Sequence, residues 1–171
     1  MARQAKGRVR VLVEIEEFET DIGADSATTR LLHRLAYDRD WDSGTTDGTQ
    51  IDRVWSSDAD LTTSATDTDL SGSLSSVLNG SNTVVMADLV LLAVENTTAA
   101  GGGDAVVGGD AAAITGWVGN ANDVVNVKPT GLLLYIAPHG VGITATTADV
   151  LQRAASSGTV TNKTIVAGRS A

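Results

Sequence analysis

The chain has 171 residues, no cysteine and a net charge of −9. That length suits one domain with a substantial core, and the missing cysteines exclude disulfides and thiolate metal sites. No Lys or Arg occurs from Val54 to Val127 while acidic residues recur, so this body should repel phosphate backbones, and we expect no nucleic-acid partner. No apolar run approaches the roughly 20 residues that span a bilayer, so we expect no membrane partner either.

The N-terminal stretch combines clustered basic residues with a strand pattern. Residues 8–18, RVRVLVEIEEF, alternate with Val9, Val11, Val13 and Ile15 on one face, which predicts a half-buried strand. We predict that residues 1–20 form an arm that contacts a neighbouring molecule by strand addition or salt bridges; the alternative is a solvated terminus. The residues expected to carry the contact are Arg3, Lys6, Arg8, Arg10, Val11 and Val13.

The next segment, Asp25–Tyr37, has the pattern of a short helix. Asp25 or Ser26 can cap it, and its apolar stripe consists of Leu31, Leu32, Leu35 and Ala36. Two threonines in its first turn weaken that pattern. The prediction is therefore an N-terminal region, residues 1–50, of an arm and a short helix.

Residues 38–49 resemble the start of a calcium-binding loop, with carboxylates at Asp38, Asp40 and Asp42. The sixth position is Ser43 rather than Gly, and the twelfth is Thr49 rather than a bidentate Glu. These departures favour an acidic surface loop, and we predict no metal site.

From residue 51 onward, short strand patterns recur with turn signals about every 8–12 residues. The predicted strands are Asp52–Leu61, Asp67–Leu70, Thr83–Asn96, Ile114–Val118, Val124–Val127, Leu132–Ala137, Gly142–Thr147, Asp149–Ala155 and Val160–Ala167. Ser71–Gly80 has helical spacing and could form a second short helix. This spacing is typical of an all-β, antiparallel sandwich or barrel, which we place at residues 51–171.

Two of these strands are apolar on both faces. We predict that Thr83–Asn96 is a central strand and that Leu132–Ala137 is its partner. A sandwich strand normally alternates, with apolar residues inward and polar residues outward. The missing alternation predicts a covered outer face, under either the N-terminal segment or a neighbouring subunit.

Catalytic motifs are not apparent, so we predict that the chain is not an enzyme and binds no cofactor. Its two histidines, His33 and His139, lack a second histidine at ligand spacing. No GxSxG motif occurs, and the glycine-rich segment after Asn96 lacks the Lys-Ser/Thr of a phosphate loop. Acid pairs such as Asp58 and Asp60 fit a solvated strand face better than glycoside hydrolysis. The three tryptophans, Trp41, Trp55 and Trp117, fit burial as well as a carbohydrate platform.

Five segments carry a family resemblance. They are VWSSDADLTTSATDTDLSGSL from Val54, VVMADLVLLAVENTT from Val84, AVVGGDAA from Ala105, VKPTGLLLYIAPHGVGITATTADVLQRAASSGTV from Val127 and the closing TIVAGRSA. On these residues the chain resembles a family of structural proteins from tailed-bacteriophage virions, over about 120 residues. The resemblance implies a jelly-roll-like β-sandwich that acts as a head decoration, or cement, protein.

That resemblance sets the functional expectations. It implies a non-enzymatic protein that binds the major capsid protein on the outer capsid surface and stabilises the head, working as a homotrimer. It also implies a virion location after assembly in the host cytoplasm, which agrees with the absence of a signal-peptide pattern. The alternative is a tail or fibre β-sandwich that recognises host glycans.

Overall fold

The structure is a computed structural model that describes residues 5–20, 28–72, 74–75, 83–144 and 148–171. Within these ranges the chain is all-β and contains no helix. The strands of the first half are β1 (Gly7–Thr20), β2 (Thr28–Ser43), β3 (Gln50–Ile51), β4 (Arg53–Leu61), β5 (Thr66–Asp69), β6 (Leu74–Ser75) and β7 (Thr83–Val84). Those of the second half are β8 (Asp88–Asn96), β9 (Ala105–Gly108), β10 (Val124–Val127), β11 (Leu132–Gly142), β12 (Val150–Ala155) and β13 (Val160–Arg169).

Two four-stranded antiparallel sheets form the body of the molecule. Sheet I has the order β10-β9-β12-β5, and sheet II has the order β11-β8-β13-β4. β6 pairs with β7 in a separate two-stranded piece. The remaining strands, β1 and β2, form a long antiparallel ribbon from Gly7↔Trp41 to Thr20↔Thr28, and β3 pairs in parallel with the end of β2.

One apolar core joins the two sheets. Leu92 and Val94 of sheet II pack with Val107 and Leu151 of sheet I, and each of the four is at most 2% exposed. Burying one such aliphatic side chain contributes about 1.5–3 kcal/mol, so this cluster is the main source of cohesion between the sheets.

β8 lies inside sheet II, as the apolar run predicts. It pairs on one side with β11, where Ala93 opposes Leu134, and on the other with β13, where Ala93 opposes Ile165. The predicted partnership of Thr83–Asn96 with Leu132–Ala137 is confirmed, although the first run is divided into β7 and β8. The outer face of β8 is covered in part by the chain's own N-terminal region, because Trp41 and Ile51 pack against Leu91.

The helix predicted over Asp25–Tyr37 is wrong from residue 28 onward, where the chain enters β2; residues 25–27 lie outside the described part. The helical spacing of its leucines is real, but pairing with β1 overrides it. In the ribbon Leu35 opposes Val13, whereas Leu32 opposes Glu16 on the other face. The one stripe of a helix is thus divided between two faces.

Three further predictions differ from the structure. In the predicted second helix, Leu74–Ser75 form β6, and residues 73 and 76–80 are outside the described part. Residues 114–118, a predicted strand, are not in a strand, and only the adjacent Ala113 makes an isolated bridge, to Val150. The strand predicted to end at Ala137 instead continues as β11 to Gly142, with a bulge where the register shifts between Ile136 and Val141.

Candidate interaction surface

The two faces of the ribbon differ in chemistry. Residues that oppose each other across an antiparallel pair share a face, so the register assigns every side chain. The apolar face carries Val9, Val11, Val13, Ile15, Leu35, Tyr37 and Trp41, with Arg39 and His33 among them. The polar face carries Arg8, Arg10, Glu14, Arg34, Asp38 and Asp40, with Leu12, Leu32 and Ala36 among them.

The basic residues predicted for the arm are paired with acids of the ribbon itself. Arg8 donates from Nε and Nη2 to both carboxylate oxygens of Asp38 at 3.1 and 2.7 Å, and Arg10 donates to Asp38 at 2.9 Å. The hydrogen bond from Arg8 lowers the pKa of Asp38 and raises that of Arg8. Lys6 lies 3.6 Å from Asp42, while Arg3 lies outside the described residues. These ion pairs hold the ribbon in register. They also neutralise the positive charge that would otherwise attract an acidic partner.

The apolar face is covered only at the base of the ribbon. Trp41 is 3% exposed and packs with Val9 against the outer face of sheet II. Farther along, Val13 is 44% exposed, Ile15 60% and Leu35 59%. Because residues 12–16 and 32–36 are exposed on both faces, the ribbon projects from the body.

A groove lies beside the ribbon base on the outer face of sheet II. Its volume is about 370 Å³, and the aliphatic side chains of Val54, Ala93, Leu134 and Ile165 line it next to Val9 and Trp41. Val54 and Ile165 are 43% and 47% exposed. The ribbon base therefore covers only part of the apolar surface that the two-sided pattern of β8 and β11 creates.

Polar contacts fix the ribbon base to the body. The guanidinium of Arg169, 2% exposed, contacts Asp88 at 3.2 Å and Asp47 at 2.9 Å, and donates to the carbonyls of Pro138 and His139. The bulge in β11 aims those carbonyls at Arg169. His139 Nδ1 lies 3.1 Å from Asp47 Oδ2, and this hydrogen bond lowers the pKa of Asp47. The loop between β2 and β3, which carries Asp47, is thereby tied to sheet II.

Other candidate chemistry from the sequence is not assembled into a site. The described residues contain no group of three or more His, Cys, Asp or Glu placed to hold a metal, and Asp38 and Asp40 pair with Arg8. Asp58 and Asp60 lie on the outer face of sheet II, where Asp60 accepts a hydrogen bond from Thr161. No helix among the described residues has the length and apolarity to cross a membrane.

Sequence reasoning found half of this surface. It placed Val11 and Val13 on one strand face but missed Leu35, Tyr37 and Trp41, because their segment was taken for a helix and a loop. A detectable signal was charge order: Arg8, Arg10 and Glu14 match Asp40, Asp38 and Arg34 in antiparallel sequence. The groove could not be found this way, since Val54, Ala93, Leu134 and Ile165 come from four separate strands.

Comparison with known proteins gives no identification: no family model, curated protein or solved structure matches the chain. The phage resemblance therefore stays a prediction, and the functional argument depends on the geometry of the ribbon and body.

Proposed function

We propose that this chain is a non-enzymatic structural protein of a tailed-phage virion, a capsid decoration protein with a jelly-roll-like β-sandwich body. It binds the major capsid protein on the outer capsid surface and acts as a homotrimer. The observation that supports this role is the projecting ribbon, whose outer strand β1 is paired on one side only within the described part of the chain.

An open strand edge of this length favours a binding role. β1 runs for 14 residues and leaves alternate backbone N–H and C=O groups directed away from β2. Such an edge is a template for another chain, and soluble proteins usually shorten, charge or cover it. A strand of the capsid protein added along β1 would satisfy these groups by β-augmentation.

The acidic body and the multivalent setting fit the same role. A surface without Lys or Arg from Val54 to Val127 disfavours adsorption to exposed nucleic acid. Each contact along one strand is modest, but a trimer presents three ribbons to a lattice of identical sites. Avidity then raises overall binding by about 10²–10⁴ over a single contact without any new interaction.

Two neighbouring proline substitutions test strand addition. Successive residues of β1 direct their N–H groups to opposite sides, so one of Leu12→Pro and Val13→Pro removes an outward donor and the other removes a bond to β2. We expect the outward variant to keep the ribbon, by circular dichroism, and to lose about fivefold or more in capsid binding per contact. Co-sedimentation with capsids of the encoding phage is the measurement, with self-association of each variant as the control.

Two results would count against this proposal. If the native protein does not co-sediment with capsids, the decoration role is wrong. If both proline variants bind like the native protein, strand addition along β1 is wrong even though the role survives.

The second candidate, a tail or fibre protein that recognises glycans, has less support from the geometry. Trp41 of the ribbon base is buried against sheet II, Trp55 stacks beneath the Arg153 guanidinium at 5.2 Å, and Trp117 packs against the core. A glycan platform needs an exposed aromatic face, and these three side chains are engaged elsewhere. Glycan-array binding that Trp117→Ala abolishes would favour this candidate.

A further inference from the structure

We propose that the exposed apolar face of the ribbon packs into the groove on sheet II of a second copy of this chain, joining copies head to tail. The contact uses the face of the ribbon and leaves the edge of β1 free. The proposal depends on the self-association that is part of the proposed function, but the contact between copies does not require the capsid.

The contact continues an interface that already exists within the chain. Val9 and Trp41 show that the apolar face of the ribbon packs on the outer face of sheet II. Val13, Ile15 and Leu35 repeat the same aliphatic chemistry farther along that face. Ile15 lies six residues beyond Val9, roughly 20 Å along the strand, so it cannot reach the groove of its own body. A second copy offers a matching groove.

The groove has the chemistry to accept this face. On sheet II the groove is lined by the aliphatic groups of Val54, Ala93, Leu134 and Ile165, and Lys6 and Arg8 of the ribbon base line its opposite side. Charged side chains of sheet II begin in the next row, at Glu95, Lys163 and Asp58. The ribbon face and the groove are both apolar and partly exposed, and they cannot contact each other within one chain. They can contact each other between two copies. Such a contact removes both apolar surfaces from water at once, which is favourable.

The size of the surfaces favours a closed arrangement. From Leu12 to Glu16, where the side chains of β1 are described, the ribbon is about 17 Å long and about 10 Å wide, so one footprint covers about 170 Å². A stable interface buries about 800 Å² per partner, so a single contact is weak. In a head-to-tail ring every copy gives one ribbon and receives another, which doubles the buried area per copy. Ribbons packed on one another would bury one footprint each and leave the groove bare.

Sedimentation velocity of the full-length protein, over about a hundredfold range of concentration, tests the contact. The ribbon variant carries Ile15→Glu and Leu35→Glu, and the groove variant carries Ile165→Glu. Leu12→Glu is the matched control, because Leu12 is 56% exposed and lies on the opposite face of the ribbon. We expect the native protein and the control to associate, and the ribbon and groove variants to sediment as monomers with native circular dichroism.

A mixture then tests the direction of the contact. The groove variant still has a native ribbon, and the ribbon variant still has a native groove. When the two variants are mixed, that ribbon can bind that groove, and no other ribbon–groove contact is intact. We therefore expect a 1:1 dimer at the highest concentration. A monomeric native protein would overturn the inference and the homotrimer of the proposed function, whereas capsid binding is measured separately by co-sedimentation. A groove variant that still associates would overturn it as well, and so would a mixture that forms oligomers larger than a 1:1 dimer.

Discussion

Arg153 occupies an unusual place for a charged side chain, between the two sheets of the body. It is 3% exposed, donates to the hydroxyls of Thr164 and Thr68 at 2.9 and 3.1 Å, and lies over the Trp55 ring. No carboxylate among the described residues lies within ion-pair distance of it, and its Nε has no acceptor. The substitution Arg153→Met therefore measures how much an unpaired buried charge changes the free energy of unfolding.

The opposing contributions are of similar size. Burial lowers the pKa of Arg153 from its usual value to about 10, which corresponds to a cost of about 3 kcal/mol for the charged form. Against this stand a desolvated cation–π contact of about 2 kcal/mol and two hydrogen bonds of about 1 kcal/mol each. Met keeps most of the volume of the side chain. It removes the cost of burying the charge and also removes the cation–π contact and the two hydrogen bonds. We expect Arg153→Met to change the free energy of unfolding by at most about 1 kcal/mol near neutral pH, as for other buried ionic groups replaced by apolar ones.

The pH dependence separates this account from a simple packing role. The folded-state pKa of about 10 lies well below the pKa of Arg153 in the unfolded chain, so between these two values the unfolded state binds more protons. The free energy of unfolding therefore rises with pH in this window. One unit above the folded pKa, the native protein should gain about 1.4 kcal/mol relative to Arg153→Met.

Urea unfolding of both proteins at pH 8 and pH 11, at one fixed protein concentration, measures that difference. A difference between native and variant that does not change with pH would refute the reasoning, because it would mean that Arg153 keeps its proton when folded. The variant Arg153→Ala is a control for packing: it should be about 2–4 kcal/mol less stable than Arg153→Met at both pH values, because of the cavity it leaves.

The polar anchor of the ribbon base gives two more predictions. Arg169→Leu should lower the free energy of unfolding by about 3 kcal/mol or more in urea titration, because it orphans two carbonyls and two carboxylates; a loss below about 1 kcal/mol would contradict the anchor. Asp47 has a lowered pKa in the folded state, so it stabilises the fold above its unfolded value of 3.8, and that contribution is lost as the pH falls below it. Thermal unfolding between pH 6 and pH 3 should therefore show the native protein's advantage over Asp47→Asn shrinking at the acidic end; a constant advantage would argue against the His139–Asp47 contact.

The part of the fold that could be predicted is the part encoded locally. The period of two in β1 and the apolar runs of β8 and β11 predicted strands, because the spacing of apolar residues along a strand reflects which of its faces are buried. β2 could not be predicted in the same way. Its leucines have helical spacing, and only the complementary charges of Arg8 and Asp40, on strands far apart in sequence, indicate that it is a strand. Pairing between distant segments is a tertiary effect that a window of sequence does not contain.

The same limit applies to the interaction surface. Arg8 and Arg10 were predicted as contacts for an acidic partner, since a single segment shows only clustered positive charge. Asp38, about 30 residues away, accepts hydrogen bonds from both. Exposed pairs of this kind contribute little to stability, but they fix the register of the ribbon and so decide which side chains share its apolar face.

The two-sided apolar character of β8 follows from a division of its outer face. Leu91 lies under Trp41 and Ile51 and is 6% exposed, so the chain's own ribbon base accounts for that row. The next row contains Ala93 between Leu134 and Ile165, and the ribbon base covers it only in part. If intramolecular packing were the whole reason for the pattern, that row would be expected to alternate to polar residues, as Glu95 does one row farther along. The apolar pattern therefore extends beyond the surface that the chain covers by itself, and it ends where the groove ends.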